Sequence, residues 1–475
     1  MNEIESRAEA DLAEAFTGQE PVTSPISLYE AMARAIKYNL DHRTALMEKA
    51  LAHRQMEAAR YDLLPTLAAS AGYSSRSEYY GSYSKALTGP AAGAESLTMS
   101  TSQEKEIATA DVTMIWNVLD FGVSYIKARQ QADNCLIIEE ERRKAVQGII
   151  QDVRYAFWRA QGAQHLLPDL KAVLEETRSA LERADRITTK KFQPLQITLE
   201  YQQALLENVR LLSGLIRQMA TARSELATLM NLRPGTAYTL TPVDWEALTV
   251  PDTAMDLEAL EKVALSGRPE LRQEDYKLRI SVLETRKAIL EMLPGVSLDF
   301  GYNYDSNDFL YKNQWTSAGA AVSMNLFNLF AGPAKYRAAK TRQELDTMRR
   351  KAMTMAVLTQ VHLAYRQFKL IQKEVGVNHR LAEVTKQLNR LLQANARAGK
   401  GDELKAILSG TDAMVAQMRH LLVYAELQNA MGRIYSSAGI DPAAGAVQTD
   451  NIGKLAVALE KRMTEVEARI GGVAF

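Results

Sequence analysis

The chain carries one cysteine, six histidines and no excess charge of either sign, and each shortage removes a class of function. Cys135 alone can form neither an intramolecular disulfide nor a cysteine metal cluster, and in a helical stretch it reads as buried packing. Lysine plus arginine and aspartate plus glutamate number 57 each, so no bulk field argues for a nucleic-acid partner. No run of 18 apolar residues occurs, which excludes a transmembrane helix and leaves any membrane role to strands. The opening stretch MNEIESRAEADLAEAFTGQEPVTSP is acidic and polar, without a basic n-region or apolar h-segment. Either a secretory signal precedes the numbered chain or the protein stays in the cytoplasm.

Catalytic and metal chemistry are equally thin. His42, His53, His165, His362, His379 and His420 are scattered, none in a helical metal-binding spacing, and read as incidental. AGKGDE lacks the first glycine and the Lys-[Ser/Thr] ending of a phosphate loop. Met348, Met353, Met355, Met414 and Met418 could offer soft donors to Cu(I), but methionine at helical spacing reads as gap-filling core. No enzyme, metal or cofactor is expected.

What the sequence does have is an internal repeat. SLYEAMARAIKYNLDHRTALMEKALAHRQMEAARYDLLP and DLEALEKVALSGRPELRQEDYKLRISVLETRKAILEMLP align without a gap at an offset of 229 residues, from Leu28/Leu257 through Pro65/Pro294 to Tyr73/Tyr302. VTMIWNVLDFGVSYIKARQ then matches VSMNLFNLFAGPAKYRAAK at an offset of 210, Gly122 with Gly332. The difference is 19 extra residues between Tyr73 and Val112, rich in Ser, Gly and Tyr, which read as a surface loop. The chain divides into a polar segment 1–26, repeat one over 27–248, a linker 249–255, repeat two over 256–442 and a tail 443–475 whose LEKRMTEVEARI reads as a short amphipathic helix.

Each repeat reads helix, strand, strand, long helix, helix. Leu64-Pro65 and Leu293-Pro294 stop the first helix, because proline blocks it and biases its predecessor to extended backbone. A strand follows each stop: Leu67, Ala69, Ala71 and Tyr73 share one face, as do Val296, Leu298, Phe300 and Tyr302. The return strands set Val112, Met114 and Trp116, and Val322, Met324 and Leu326, opposite polar neighbours. Turns at Asp120-Phe121-Gly122 and Ala331-Gly332-Pro333 open the long helices, with Pro333 suited to a first turn. These helices cover about 124–190 and 333–398, or roughly 100 Å each. Val361, Ala364, Phe368, Ile371 and Val375, then Leu381, Val384, Leu388 and Leu391, form a coiled-coil seam. Pro168 should kink the first long helix. Two short helices, end to end, match one long one, which suggests a tube of antiparallel helices capped by strands.

The apolar strand faces could pack on one another in a soluble scaffold. A membrane barrel is the alternative, but four strands cannot close, so several copies would each have to contribute hairpins. Its lipid face would be Leu67, Tyr73, Val112, Met114, Trp116, Val296, Leu298, Phe300, Tyr302, Val322 and Met324.

The DLLP and EMLP stops before GY-bearing strands, VTMIWNVLDFG and VSMNLFNLFAG leading into Ala-rich helices, and GKGDELKAIL opening the last helix together resemble TolC-type outer-membrane efflux proteins, from Ser27 to Pro442. The resemblance implies a mainly α fold with a small membrane β-barrel contribution: a homotrimer with a 12-stranded barrel in the outer-membrane lipid of a Gram-negative bacterium and an α-helical tunnel in the periplasm. It implies a passive duct for efflux or type I secretion, partnered by a periplasmic adaptor and an inner-membrane pump or ABC secretion ATPase. It puts the aperture and adaptor-facing turns at 188–194 and 398–403. Gly399 matches the family's turn glycine and Leu404 its hydrophobic anchor, whereas Lys405 and Leu408 stand where some members have acids. In repeat one Lys190 replaces the glycine, with Lys191 beside it, and Gln196 replaces the first acid. Asp402 and Glu403 could supply another acidic ring or simply cap a helix.

Overall fold

In a computed structural model, residues 2–83, 85, 88–90, 93–95, 98–190, 195–245, 250–251, 256–441, 443 and 451–470 are described. The elements run α1 (Asn2–Phe16), α2 (Leu28–Tyr38), α3 (Leu40–Tyr61), β1 (Thr66–Ser75), β2 (Gly81–Ser82), β3 (Ser100–Thr101), β4 (Glu106–Asn117), α4 (Val118–Lys190), α5 (Leu195–Leu229), α6 (Leu257–Gly267), α7 (Pro269–Leu290), β5 (Gly295–Asp305), β6 (Gln314–Ser323), α8 (Asn328–Arg397), α9 (Glu403–Ser437) and α10 (Ile452–Ile470). Apart from α1, α10 and the small β2–β3 ribbon, the same order of elements occurs twice.

The single first helix expected in each repeat is two. Asn39 ends α2 through its N–H to the Ala35 carbonyl, and its Oδ1 accepts from the N–H groups of Asp41 (2.9 Å) and His42 (3.4 Å) to start α3. In repeat two Arg268 takes extended backbone before Pro269, which breaks α6 from α7. Ser27, Asp256 and Asp402 cap the N-termini of α2, α6 and α9. Pro65 and Pro294 stand between helix and strand in both repeats, after closing turns from Leu64 to Tyr61 and from Leu293 to Leu290.

The long helices start earlier than the turns at Gly122 and Gly332-Pro333. Asn117 Oδ1 accepts from Leu119 (3.0 Å) and Asp120 (3.3 Å), and Asn325 Oδ1 accepts from Phe327 (3.0 Å), so a short polar side chain turns the backbone where the alternating pattern alone suggests continued strand. Gly122 and Pro333, the fifth and sixth residues of α4 and α8, therefore lie in the second turns rather than opening the helices, Gly332 packs on the Met292 side chain, and Met324 and Leu326 fall beyond β6 rather than on it. α4 runs unbroken through Pro168.

The chain divides into two compact units. Residues 1–49, 138–274 and 350–475 form a helical unit holding the main apolar cores. Phe368, Leu212, Leu166, Met32 and Leu427 are fully buried there, and α10 closes on α2 through Ile452, Leu455 and Leu459. Asn231 and Gly439, both at positive φ, end α5 and α9 in the same two-bond closure.

The seam on α8 divides. Val361, Ala364, Phe368 and Val375 are buried and Ile371 packs against their core, but the buried line continues through Ala382, while Leu381, Val384, Leu388 and Leu391 are exposed. Two of them belong to a second stripe: Leu363, Leu370, Val377, Val384 and Leu391 recur every seven residues, all exposed, Val377 at 69%, with Leu381 and Leu388 exposed beside it.

Residues 50–137 and 275–349 form the second unit, built on a four-stranded antiparallel sheet in the order β1-β4-β5-β6. The two hairpins are thus joined through β4 and β5. The expected loop between β1 and β4 carries the β2–β3 ribbon.

Candidate functional site

Register fixes which strand residues share a face. Leu67 pairs with Met114, Ala69 with Val112, Val112 with Tyr302, Met114 with Phe300, Trp116 with Leu298, and Val296 with Val322. Paired residues point the same way, so ten of the eleven expected lipid-face residues form one continuous apolar surface; Met324 is the exception. That surface is open: Leu67 is 70% exposed, Phe300 51% and Val322 73%, and of the ten only Met114 and Leu298 are half-covered.

The opposite face carries Ser70, Asp111, Thr113, Asp299, Asn303 and Ser317. Ser70 donates to Asp111, and Asn303 Nδ2 donates to Ser317 Oγ at 3.1 Å. Gly301 and Gly319 keep this face low: a Cβ on Gly319 would fall 2.6 Å from the Asp299 carboxylate. Ile115 and Trp315 also lie on it, paired with Asp299 and Asn303, so it is mixed rather than purely polar. None of the residues in β1, β4, β5 and β6 is Lys or Arg. The strands are 10 to 12 residues long, close to the 9–11 a tilted membrane strand requires. β1 and β6 have no further described strand beside them. Among the described residues no helix is long and apolar enough to cross a membrane.

The helix turn after α8 lies in the helical unit. Gly399, at φ +68°, donates to the Ala396 carbonyl, and Lys400 donates to that of Asn395, both at 3.0 Å. Glycine adopts this left-handed position without the clash a Cβ brings. Asp402 Oδ1 then accepts from Leu404 N–H at 2.9 Å, and Glu403 pairs with Arg183 of α4 at 2.6 Å. The acidic pair is therefore occupied, one residue as a helix cap and one as an ion pair. Leu404 and Tyr201 pack on a small core of Ala180, Leu205 and Ile407, and burial together with Glu403 raises the Tyr201 phenol pKa. Lys405 is exposed and Leu408 half-buried. Gln196 donates to Glu200 at 3.0 Å. Lys190 is the last residue of α4, and Lys191 lies outside the described residues.

The fold brings together one group that the sequence keeps apart. His165 on α4, His379 on α8 and His420 on α9 line a cavity of about 80 Å³ with Trp245 and Glu383. The His379 and His420 ring centres are 5.0 Å apart, and burial, with His379 alongside, lowers the His420 pKa. The i, i+4 step from His379 to Glu383 is the one local signal. Among the described residues, no three His, Cys, Asp or Glu side chains are arranged to hold a metal ion.

Comparison of the whole fold with solved structures is decisive. The Campylobacter jejuni CmeC outer membrane channel superposes with a TM-score of 0.68 at 14% identity, covering 94% of each chain. The chain has the outer-membrane channel fold. The Neisseria gonorrhoeae MtrE outer membrane channel in its open state shares this channel fold with a TM-score of 0.64 at 18% identity, over 87% of this chain and 89% of that one. The outer membrane protein VceC from Vibrio cholerae gives 0.62 at 12% identity, over 87% and 96%. No protein-family model and no curated protein matches the sequence, so the likeness rests on the path of the chain.

Proposed function

We propose that the chain is one protomer of a homotrimeric outer-membrane channel-tunnel, a passive exit duct for efflux or type I secretion with no chemistry of its own. The observation that carries this reading is the four-stranded sheet, two-faced and open at both edges, whose apolar side the chain leaves uncovered. Lipid satisfies no backbone groups, so a membrane sheet must close, and closed barrels start at about eight strands. Three copies supply twelve. The apolar surface then meets lipid, and the Asp111 and Asp299 face lines the lumen.

The helical unit extends into the periplasm as the tunnel wall, and the exposed seven-residue stripe on α8 meets a neighbouring protomer. The turns at 188–194 and 398–403 face a periplasmic adaptor and gate the tunnel, and an inner-membrane pump or ABC secretion ATPase supplies the energy. Asp402 and Glu403 are each engaged locally, one as a helix cap and one with Arg183, and Lys405 is exposed beside them. The open apolar face speaks against a soluble scaffold, which would have to hide it.

Purified protein added to a planar lipid bilayer tests the duct. Stepwise, water-filled conductance in integral multiples of one unit is the expected result. Absence of any conductance from protein shown to be oligomeric would overturn it.

A further inference from the structure

The cavity that joins α4, α8 and α9 has no role in the duct. It lies wholly within the helical unit, lined by His165, Trp245, His379, Glu383, Lys386 and His420. Trp245 forms a fixed wall, held edge-on by Trp158 at 5.8 Å and Tyr424 at 5.9 Å. His420 Nδ1 is buried without a hydrogen-bond partner, an atom that costs stability unless something binds it. The His379 ring, on a different helix, lies beside the His420 ring, tilted by 56° rather than stacked.

The ring spacing is informative. With metal–nitrogen bonds of about 2.0–2.1 Å and a ring centre roughly 1.1 Å behind each nitrogen, two imidazoles on one ion at 90–110° stand about 4.5–5.2 Å apart. The observed separation is 5.0 Å. Glu383, one turn after His379, is within 4.0 Å of Lys386 and can exchange that exposed pair for a coordinated water. No third His, Cys, Asp or Glu donor among the described residues is already in place, so water must complete the shell, and the cavity has room for it.

The geometry points to a binding site for a divalent first-row transition ion, held by the imidazoles of His379 and His420 with water in the remaining positions and Glu383 as hydrogen-bond acceptor. Imidazole donors suit Ni²⁺, Cu²⁺ and Zn²⁺ and not Mg²⁺ or Ca²⁺, and the cavity offers no thiolate or thioether for Cu(I).

Equilibrium dialysis of untagged full-length protein against Ni²⁺ tests the site. One saturable ion per chain is expected. His379→Gln and His420→Gln should each weaken binding by about tenfold or more, Glu383→Gln by less, and His53→Gln not at all. His379 is exposed, so His379→Gln informs even if His420→Gln fails to fold, with helicity by circular dichroism as the check. Absence of saturable binding, or equal affinity in wild type and His379→Gln, would overturn the proposal.

Discussion

Phe300 occupies the middle of β5, half exposed on the apolar face beside Met114. If that face meets lipid, Phe300→Arg sets a guanidinium near the membrane midplane at about 2–4 kcal/mol per chain. Trimer yield in the outer membrane should fall sharply; an unchanged yield would place Phe300 elsewhere. Glu139 marks a different sensitivity. Although partial burial alone would raise its pKa, bonds from Arg142 (2.8 Å) and Lys49 (2.8 Å) lower it to about 2. A depressed carboxylate contributes stability above its unfolded pKa of 4.5 and loses it as pH falls through the folded value. Acid unfolding followed by circular dichroism should therefore lose this contribution between about pH 4.5 and 2, and Glu139→Gln should flatten that part of the profile. Partial solvent screening limits the effect to about 1 kcal/mol. At this scale the sequence was informative about the strand residues, whose period of two is local. It was blind to the His379–His420 pair, whose partners come from separate helices.

Among the elements, the turn after α8 and the outer stripe of α8 make separable predictions. A Cβ at Gly399 meets nothing within 4 Å, so Gly399→Ala costs conformational strain alone, about 1–2 kcal/mol, read as a lowered melting temperature. Leu370→Glu with Val377→Glu should leave the helicity of the chain intact, because both residues are exposed, yet abolish oligomer formation in a chemical cross-linking assay. Retention of the oligomer would remove α8 from the interface. Proline made the helix-to-strand junctions at Pro65 and Pro294 legible in advance. The strand-to-helix junctions were not, since Asn117 and Asn325 act through side-chain bonds that no hydropathy pattern displays. Likewise, the seam on α8 was read as one stripe where two are interleaved, one buried by this chain and one left outside it.

For the whole molecule, the duplicated order of helices and strands could be read from aligned stops and glycines, but the pairing of β4 with β5 joins strands nearly two hundred residues apart and needed the fold itself. In the proposed trimer, that pairing would make each chain's two hairpins one-third of a closed barrel. The central claim is that three such sheets close in the outer membrane. Its most direct test is gel electrophoresis of the outer-membrane fraction from cells expressing the gene from its own start, with and without heating. A heat-labile band near three times the 52.8 kDa chain is the predicted result. A soluble product running as a single chain whether heated or not would contradict the account.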